Sequence, residues 1–209
     1  MAPVPGAWTP KPGADFFNLN PEDQMSSIVV VYHSGYGHTQ RMAQAVAQGA
    51  GAQMLAIDAD GNLPEGGWEA LAAAPAIIMG SPTYMGSVSW QFKKFADASS
   101  KPWFSQTWKN KVFGGFTNSA SLNGDKQSTL NYLCTLAMQH GGVWVGLGML
   151  PSNSKAAQRN DPNFLGSSSG AMAQSPSDAG ASEMLPGDLE TAQAFGRRVA
   201  EVAARFKAD

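Results

Sequence analysis

The stretch VVVYHSGYGHTQRMAQAV, Val29 to Val46, joins two incompatible periodicities across one short turn. Ile28 to Tyr32 is a continuous β-branched and aromatic run, as expected of a strand buried on both faces of a parallel sheet. From Thr39, the apolar and small residues Met42, Ala43, Val46, Ala47 and Ala50 recur at helical spacing until Gly49 and Gly51 weaken and close the pattern. The turn from Ser34 to His38 therefore leads from a strand end into a helix N-terminus. That terminus leaves backbone N–H groups unpaired and carries positive partial charge, so an anion is stabilised there without Lys or Arg. Gly35 and Gly37 permit close backbone approach, and the Ser34 and Thr39 hydroxyls add hydrogen bonds.

Phosphate is the natural guest, and several readings of the turn compete. A Walker A loop needs Lys followed by Ser or Thr after its last Gly, and that pair is not present. A dinucleotide fingerprint needs a third small residue where this chain has Gln40, although Asp58, about twenty residues on, keeps that reading open. A mononucleotide phosphate loop fits the glycines and hydroxyls. A tight strand-to-helix turn that binds nothing fits them too.

The 209 residues suit one α/β domain with excess at its ends and loops. With 43% hydrophobic residues the chain can build a core, and a net charge of −2 provides no field to draw nucleic acid or an anionic membrane. Cys134, the single cysteine, excludes an intrachain disulfide and reads as a small buried hydrophobe in a reducing compartment. No run is apolar enough to span a membrane and the first residues lack the order of a signal peptide, so a cytoplasmic location is expected. Residues 1–26 are Pro-rich and read as an irregular arm whose Trp8, Phe16 and Phe17 lie against a surface, with Met25 resembling a second start. The folded domain is expected over 27–209.

Beyond the turn, strands are expected at Gln53–Ile57, Ala76–Gly80, Lys111–Thr117 and Val143–Leu147. Helices are expected at Trp68–Ala73, Trp90–Ala98, Lys126–Gln139 and Glu190–Phe206. This alternation implies a flavodoxin-like three-layer α/β fold whose five-stranded parallel sheet has the order 2-1-3-4-5, with a ligand crevice beyond the strand ends at the switch point. The polar stretch GSSSGAMAQSPSDAGAS reads as a loop rather than a core element. Three loops then converge on one rim: Ser34 to Thr39, the GSPTYMGSV segment after strand 3, and TNSASLNGD after strand 4. The second offers Pro82, Thr83, Tyr84, Met85 and Gly86, and the third is rich in hydroxyls. A phosphorylated planar ring suits such a cleft.

YHSGYGHTQRMAQAVAQGA, APAIIMGSPTYMGSVSWQFKKFAD and LAMQHGGVWVGLG together resemble the flavodoxin-like type IV NAD(P)H:quinone oxidoreductases, the family named for the tryptophan-repressor-binding protein. The resemblance runs from Ser27 to Lys207. It implies noncovalent FMN, hydride taken from NADH or NADPH, two-electron reduction of a quinone, and a homotetramer or homodimer. It places Ser34, Gly35, Tyr36, Gly37, His38 and Thr39 at the FMN phosphate, with Tyr36 also touching the nicotinamide substrate. Pro82, Thr83, Tyr84, Met85 and Gly86 fall beside the ring, although the family often has Arg and Phe where Tyr84 and Met85 stand. Asn118, Ser119, Ala120, Ser121, Leu122 and Asn123 occupy a third FMN segment that is Gly-rich in the family and is not so here. His140, with Gln139 beside it because the chain carries one extra residue, corresponds to a His that closes over the flavin; Trp103 stands at the ring pocket as a substrate contact. The chain lacks the family's long insertion after strand 2, and its last loop keeps only Gly170 and Ala171 of the family pattern.

His140 and Tyr84 are thus the candidate catalytic residues, His140 as a proton source for the quinone. Helix C-terminal packing is the alternative for His140, while His33 is expected to make a structural hydrogen bond and His38 to act through its backbone N–H. Metal-ligand spacing and a nucleophile elbow are both missing from the sequence, so neither metal nor hydrolase chemistry is expected. Trp103, Phe104 and Trp108, crowded into SSKPWFSQTW, are expected to be exposed on a monomer and covered in an oligomer. A flavodoxin-type electron carrier and a non-enzymatic scaffold of the same fold are the rival functions. Weak net charge speaks against the carrier.

Overall fold

The computed structural model describes residues 28–206, so the arm at 1–26 lies outside the described residues. In chain order the elements are β1 (Val29–His33), α1 (His38–Ala50), β2 (Gln53–Ile57), α2 (Gly67–Ala73), β3 (Ala76–Tyr84), β4 (Ser87–Val88), α3 (Trp90–Ala98), α4 (Ser100–Phe104), β5 (Val112–Ser119), α5 (Lys126–Gln139), β6 (Val143–Trp144), β7 (Ala171–Gln174) and α6 (Pro186–Phe206).

The strands line up as β2-β1-β3-β5 with β6 beyond, all parallel, and β7 lies beside the far end of β5. This is the expected order, with the crevice between β1 and β3. Side chains alternate strictly between the two faces. Val30, Tyr32, Ile78, Val112 and Phe116 meet α1 and α6, while Val29, Val31, Ile77, Met79 and Phe113 meet α2, α3 and α5. Both faces are apolar because both are covered, which is why β1 reads as an unbroken hydrophobic run.

Helices α1 and α6 approach unusually closely, and two glycines are the reason. A Cβ on Gly49 would strike the Gln193 carbonyl, and one on Gly196 would strike the Val46 carbonyl. Gly49, expected only to weaken the helix pattern, is a packing residue inside α1; Gly51 at φ +60 is its terminator.

Three expectations need correction. β3 does not end at Gly80 but runs to Tyr84, with Pro82 inside it, and folds back through a hairpin onto β4. The central residues of that turn, Met85 (φ 47) and Gly86 (φ 79), are both left-handed, as a two-residue hairpin of primed type requires. The fifth strand, expected at Val143–Leu147, covers only Val143 and Trp144; its upper half is supplied by β7, from the very stretch read as a loop. Ala171 and Ala173 are buried in the core on the α1 and α6 face, while Met172 packs half-buried on the opposite face. Finally, Trp108 is fully buried against Phe95, Phe113 and His140, so the SSKPWFSQTW segment exposes Trp103 and Phe104 only, part of it as α4.

Candidate functional site

At the C-terminal ends of β1, β3 and β5 lies a cleft of about 600 Å³ lined by Tyr36, His38, Thr39, Pro82, Thr83, Tyr84, Asn118, Ser119, Ala120 and a fourth segment, Ser175 to Gly180. Among the described residues no acidic or basic side chain other than His38 lines it, so any anion held there by these residues is held by dipoles and hydrogen bonds.

The turn after β1 is organised by Ser34, whose Oγ accepts the N–H groups of Gly37 and Gln40, each at 3.1 Å. Gly37 sits at φ +88, a conformation that favours glycine. The first helical hydrogen bond runs from the Arg41 N–H to the Gly37 carbonyl (2.9 Å), and the N–H groups of His38 and Thr39, beside the cleft, have no acceptor among the described residues. Gly35 backs onto Tyr84: a Cβ there would come within 2.7 Å of the phenol oxygen. The rings of Tyr36 and Tyr84 meet edge to face at 6.3 Å. Burial and, secondarily, the Tyr36 phenol push the Tyr84 hydroxyl above its ordinary pKa, so it stays protonated and can donate.

The hydroxyls differ in what they are free to do. Thr39 Oγ1 lies 2.6 Å from Asn118 Oδ1, tying the first loop to the third. Thr83 Oγ1 is engaged at 2.8 Å by both Thr117 and Thr129, so the hydroxyl expected at the ring belongs instead to a buried threonine cluster. Ser175 Oγ is buried beside the cleft without a partner.

Other expected residues lie apart. Met85 projects fully exposed at the hairpin tip, next to Gly86. Leu122 and Asn123 border a neighbouring hollow with Phe164 and Met172, and Ser121 is exposed. His140 and Trp103 share a separate hollow with Ala96, Asp97, Ser99 and Gln139 and do not reach the cleft of their own chain. His140 is buried, with Nε2 2.9 Å from Ser99 Oγ, its ring 4.4 Å from that of Trp108 and Nδ1 unpartnered. Burial lowers its pKa to about 4, so it is neutral at pH 7 and holds no imidazolium proton to give a quinone, contrary to expectation. His33 likewise has an unpartnered buried Nδ1 rather than the expected structural bond. The His38 ring has a structural contact of its own: Nε2 lies 2.8 Å from the Ala179 carbonyl and fastens the fourth segment to α1.

That fourth segment is what the sequence reading missed. Its signal was the two-residue alternation of AMAQ, too short to stand out from the polar sequence around it. Lys126 was missed as well. It is buried in the first turn of α5, where a cation opposes the helix dipole, and that mismatch was visible in the sequence. Among the described residues no group of three or more His, Cys, Asp or Glu could hold a metal, and no helix is long and apolar enough to cross a membrane.

A flavodoxin-fold protein with an open cleft at its topological switch point is the class defined by this arrangement. Residues 67–154 match the NADPH-dependent FMN reductase family. Flavodoxin FldP of Pseudomonas aeruginosa is 58% identical over 88% of this chain and all of its own length. A Geobacter sulfurreducens NAD(P)H dehydrogenase (quinone) is 34% identical over 86% of this chain and 98% of its own. The crystal structure of a flavodoxin, WrbA-like protein from Agrobacterium tumefaciens superimposes with a TM-score of 0.72 at 61% identity, covering 86% of this chain and 99% of that one. The chain belongs to the WrbA-like family of flavodoxin-fold proteins.

Proposed function

We propose that this protein is an FMN-dependent oxidoreductase that passes a hydride from NADH or NADPH to a quinone. The observation that carries the reading is the cleft itself: free N–H groups at the start of α1, a tyrosine pair opposite, and walls without carboxylates. Those residues fit FMN. The N–H groups of His38 and Thr39 would hold the phosphate, the orphaned Ser175 Oγ offers a further hydrogen bond, and Tyr36 and Tyr84 give flat surface to a ring. Bound FMN supplies the hydride-accepting ring, and the protein supplies binding, orientation and electrostatics. Oxidoreductase is also the class carried in the names of the matching family and of the quinone dehydrogenase relatives.

Trp103 and His140 enter this reading only through assembly. Trp103 is half-exposed on α4 and the neighbouring Phe104 is almost fully so, an apolar surface that a second subunit would cover. In a homotetramer or homodimer that surface can complete a neighbour's cleft, with Trp103 against the acceptor.

Denaturing the purified protein and identifying the released ligand tests the first step. FMN is expected; FAD, or no flavin affinity after refolding, overturns it. Anaerobic mixing with each nicotinamide tests the second: rapid loss of the flavin's visible colour and ping-pong kinetics with a quinone are expected. The name of the 58% identical relative favours a second reading, a flavodoxin-type electron carrier. That reading gains if FMN is bound but neither nicotinamide reduces it.

A further inference from the structure

The loop after β5 departs from a Gly-rich sequence, yet it is held from both sides by protein hydrogen bonds. Lys126, 1% exposed, donates to Ser119 Oγ (2.9 Å), the Ser121 carbonyl (2.7 Å) and the Leu122 carbonyl (3.0 Å), using all three ammonium protons. On the other side the Ser175 N–H donates to the Ser119 carbonyl (3.0 Å) and Gln174 Nε2 to the Ala120 carbonyl (3.1 Å). Gln174 is anchored in turn. Its N–H donates to Asp188 Oδ2 (2.9 Å), and its Oε1 accepts from Arg159, whose guanidinium grips the Asp188 carboxylate at 2.8 and 2.9 Å. Four consecutive carbonyls, 119 to 122, are therefore all taken up by protein.

A planar trans peptide points its N–H opposite to its C=O, and the described residues contain no cis bond. With carbonyls 119 to 122 drawn toward Lys126, Gln174 and Ser175, the N–H groups of Ala120, Ser121, Leu122 and Asn123 must face away from them. None of the four donates to a protein acceptor among the described residues. Ser119 and Ala120 line the cleft. Ala120, with Ser121 next to it, thus offers free donors beside the cleft, while Leu122 and Asn123 border the neighbouring hollow.

We propose that Lys126 is a positioning residue for the cofactor: through Ser119 Oγ and the Ser121 and Leu122 carbonyls it fixes, together with Gln174 and Ser175, the loop whose Ala120 and Ser121 N–H groups receive the carbonyl edge of the flavin, and its charge stabilises the flavin after reduction. This rests on the FMN reading. Burial lowers the Lys126 pKa to about 8, with Asp188 raising it and Arg159 lowering it, so the ammonium persists at pH 7. Uptake of a hydride, two electrons and one proton, leaves a negative charge on the ring, and a buried cation one hydrogen bond behind the wall favours that state.

The test uses Lys126→Met, which keeps the stem and removes charge and donors, and Lys126→Gln, which keeps two donors without charge. FMN affinity by flavin fluorescence and the midpoint potential of bound FMN are measured in both and in the wild type. Lys126→Met is expected to bind FMN at least tenfold more weakly and to lose a further tenfold for the reduced form, which lowers the potential by about 30 mV. Lys126→Gln is expected to recover part of the affinity but not the potential. A purely structural lysine would lower thermal stability and leave the potential in place. Hydrogen exchange on the wild type adds a measurement that needs no variant: FMN should slow exchange at residues 120 and 121. Unchanged potential in the variants, or unprotected amides at 120 and 121 with FMN bound, overturns the proposal. A wild type that binds no FMN overturns the functional reading instead.

Discussion

Replacing Thr39 by Val keeps the side-chain shape and removes one hydroxyl, which here serves two partners. In the structure Thr39 Oγ1 donates to Asn118 Oδ1 at 2.6 Å in a buried setting. A hydroxyl has one proton, so it cannot donate to Asn118 and to a phosphate at once. Turning over the Asn118 amide resolves the conflict, since Nδ2 then donates to Thr39 and the hydroxyl proton is released to the ligand. Without ligand, Thr39→Val strands a buried amide, a loss of about 1 to 3 kcal/mol. For a chain of this size that lowers Tm by about 2 to 12 °C. With ligand, the variant also forfeits a hydrogen bond to a charged group, about 1.5 to 3 kcal/mol, or roughly a 10- to 150-fold rise in the FMN Kd. Scanning calorimetry and fluorescence titration measure the two effects on one preparation. Asn118→Asp separates them: a carboxylate still accepts from Thr39, so the apoprotein stays folded, but it cannot release the proton and repels phosphate. Asn118→Asp with wild-type FMN affinity, or Thr39→Val with a lowered Tm and unchanged affinity, would refute the shared-proton argument.

The buried, neutral state of His140 makes stability depend on pH. Its folded pKa of about 4 lies below the ordinary 6.5, so the unfolded chain binds more protons between those values. Its contribution is complete above pH 6.5 and is lost as pH falls toward 4, with His33 adding in the same direction; in His140→Phe the decline in Tm over that window should flatten, and an undiminished decline counts against the assignment. Met85 holds a left-handed conformation that Asn tolerates better, so Met85→Asn should raise Tm by about 1 to 4 °C, and a lower Tm would mean that the exposed side chain packs in solution. Trp103→Ala should raise the quinone KM more than it weakens FMN binding. Light scattering should show an oligomer; a monomer together with an unchanged KM contradicts the assembled site.

Where order is local, the residues announced it. The β-branched run of β1, the glycines of the phosphate turn and the helical spacing of α1, α3 and α5 each depend on neighbours within a few positions, and the structure reproduces them to within a residue or so. Strand order followed as well, because alternating strands and helices leave few ways to cover both faces of a parallel sheet. What pairing across the chain decides was not legible. Only the open edge of β5 makes a strand of AMAQ, and only β7 then carries Ser175 to Gly180 to the rim. Lys126 drew no reading of its own from the sequence; three acceptors brought by the loop before α5 are what allow its charge to be buried. His140 looked available to a ring, but α5 runs from the cleft end of β5 back toward the start of β6 and leaves it against Trp108, since the direction of a helix, rather than its composition, sets which end of the sheet its last residue reaches.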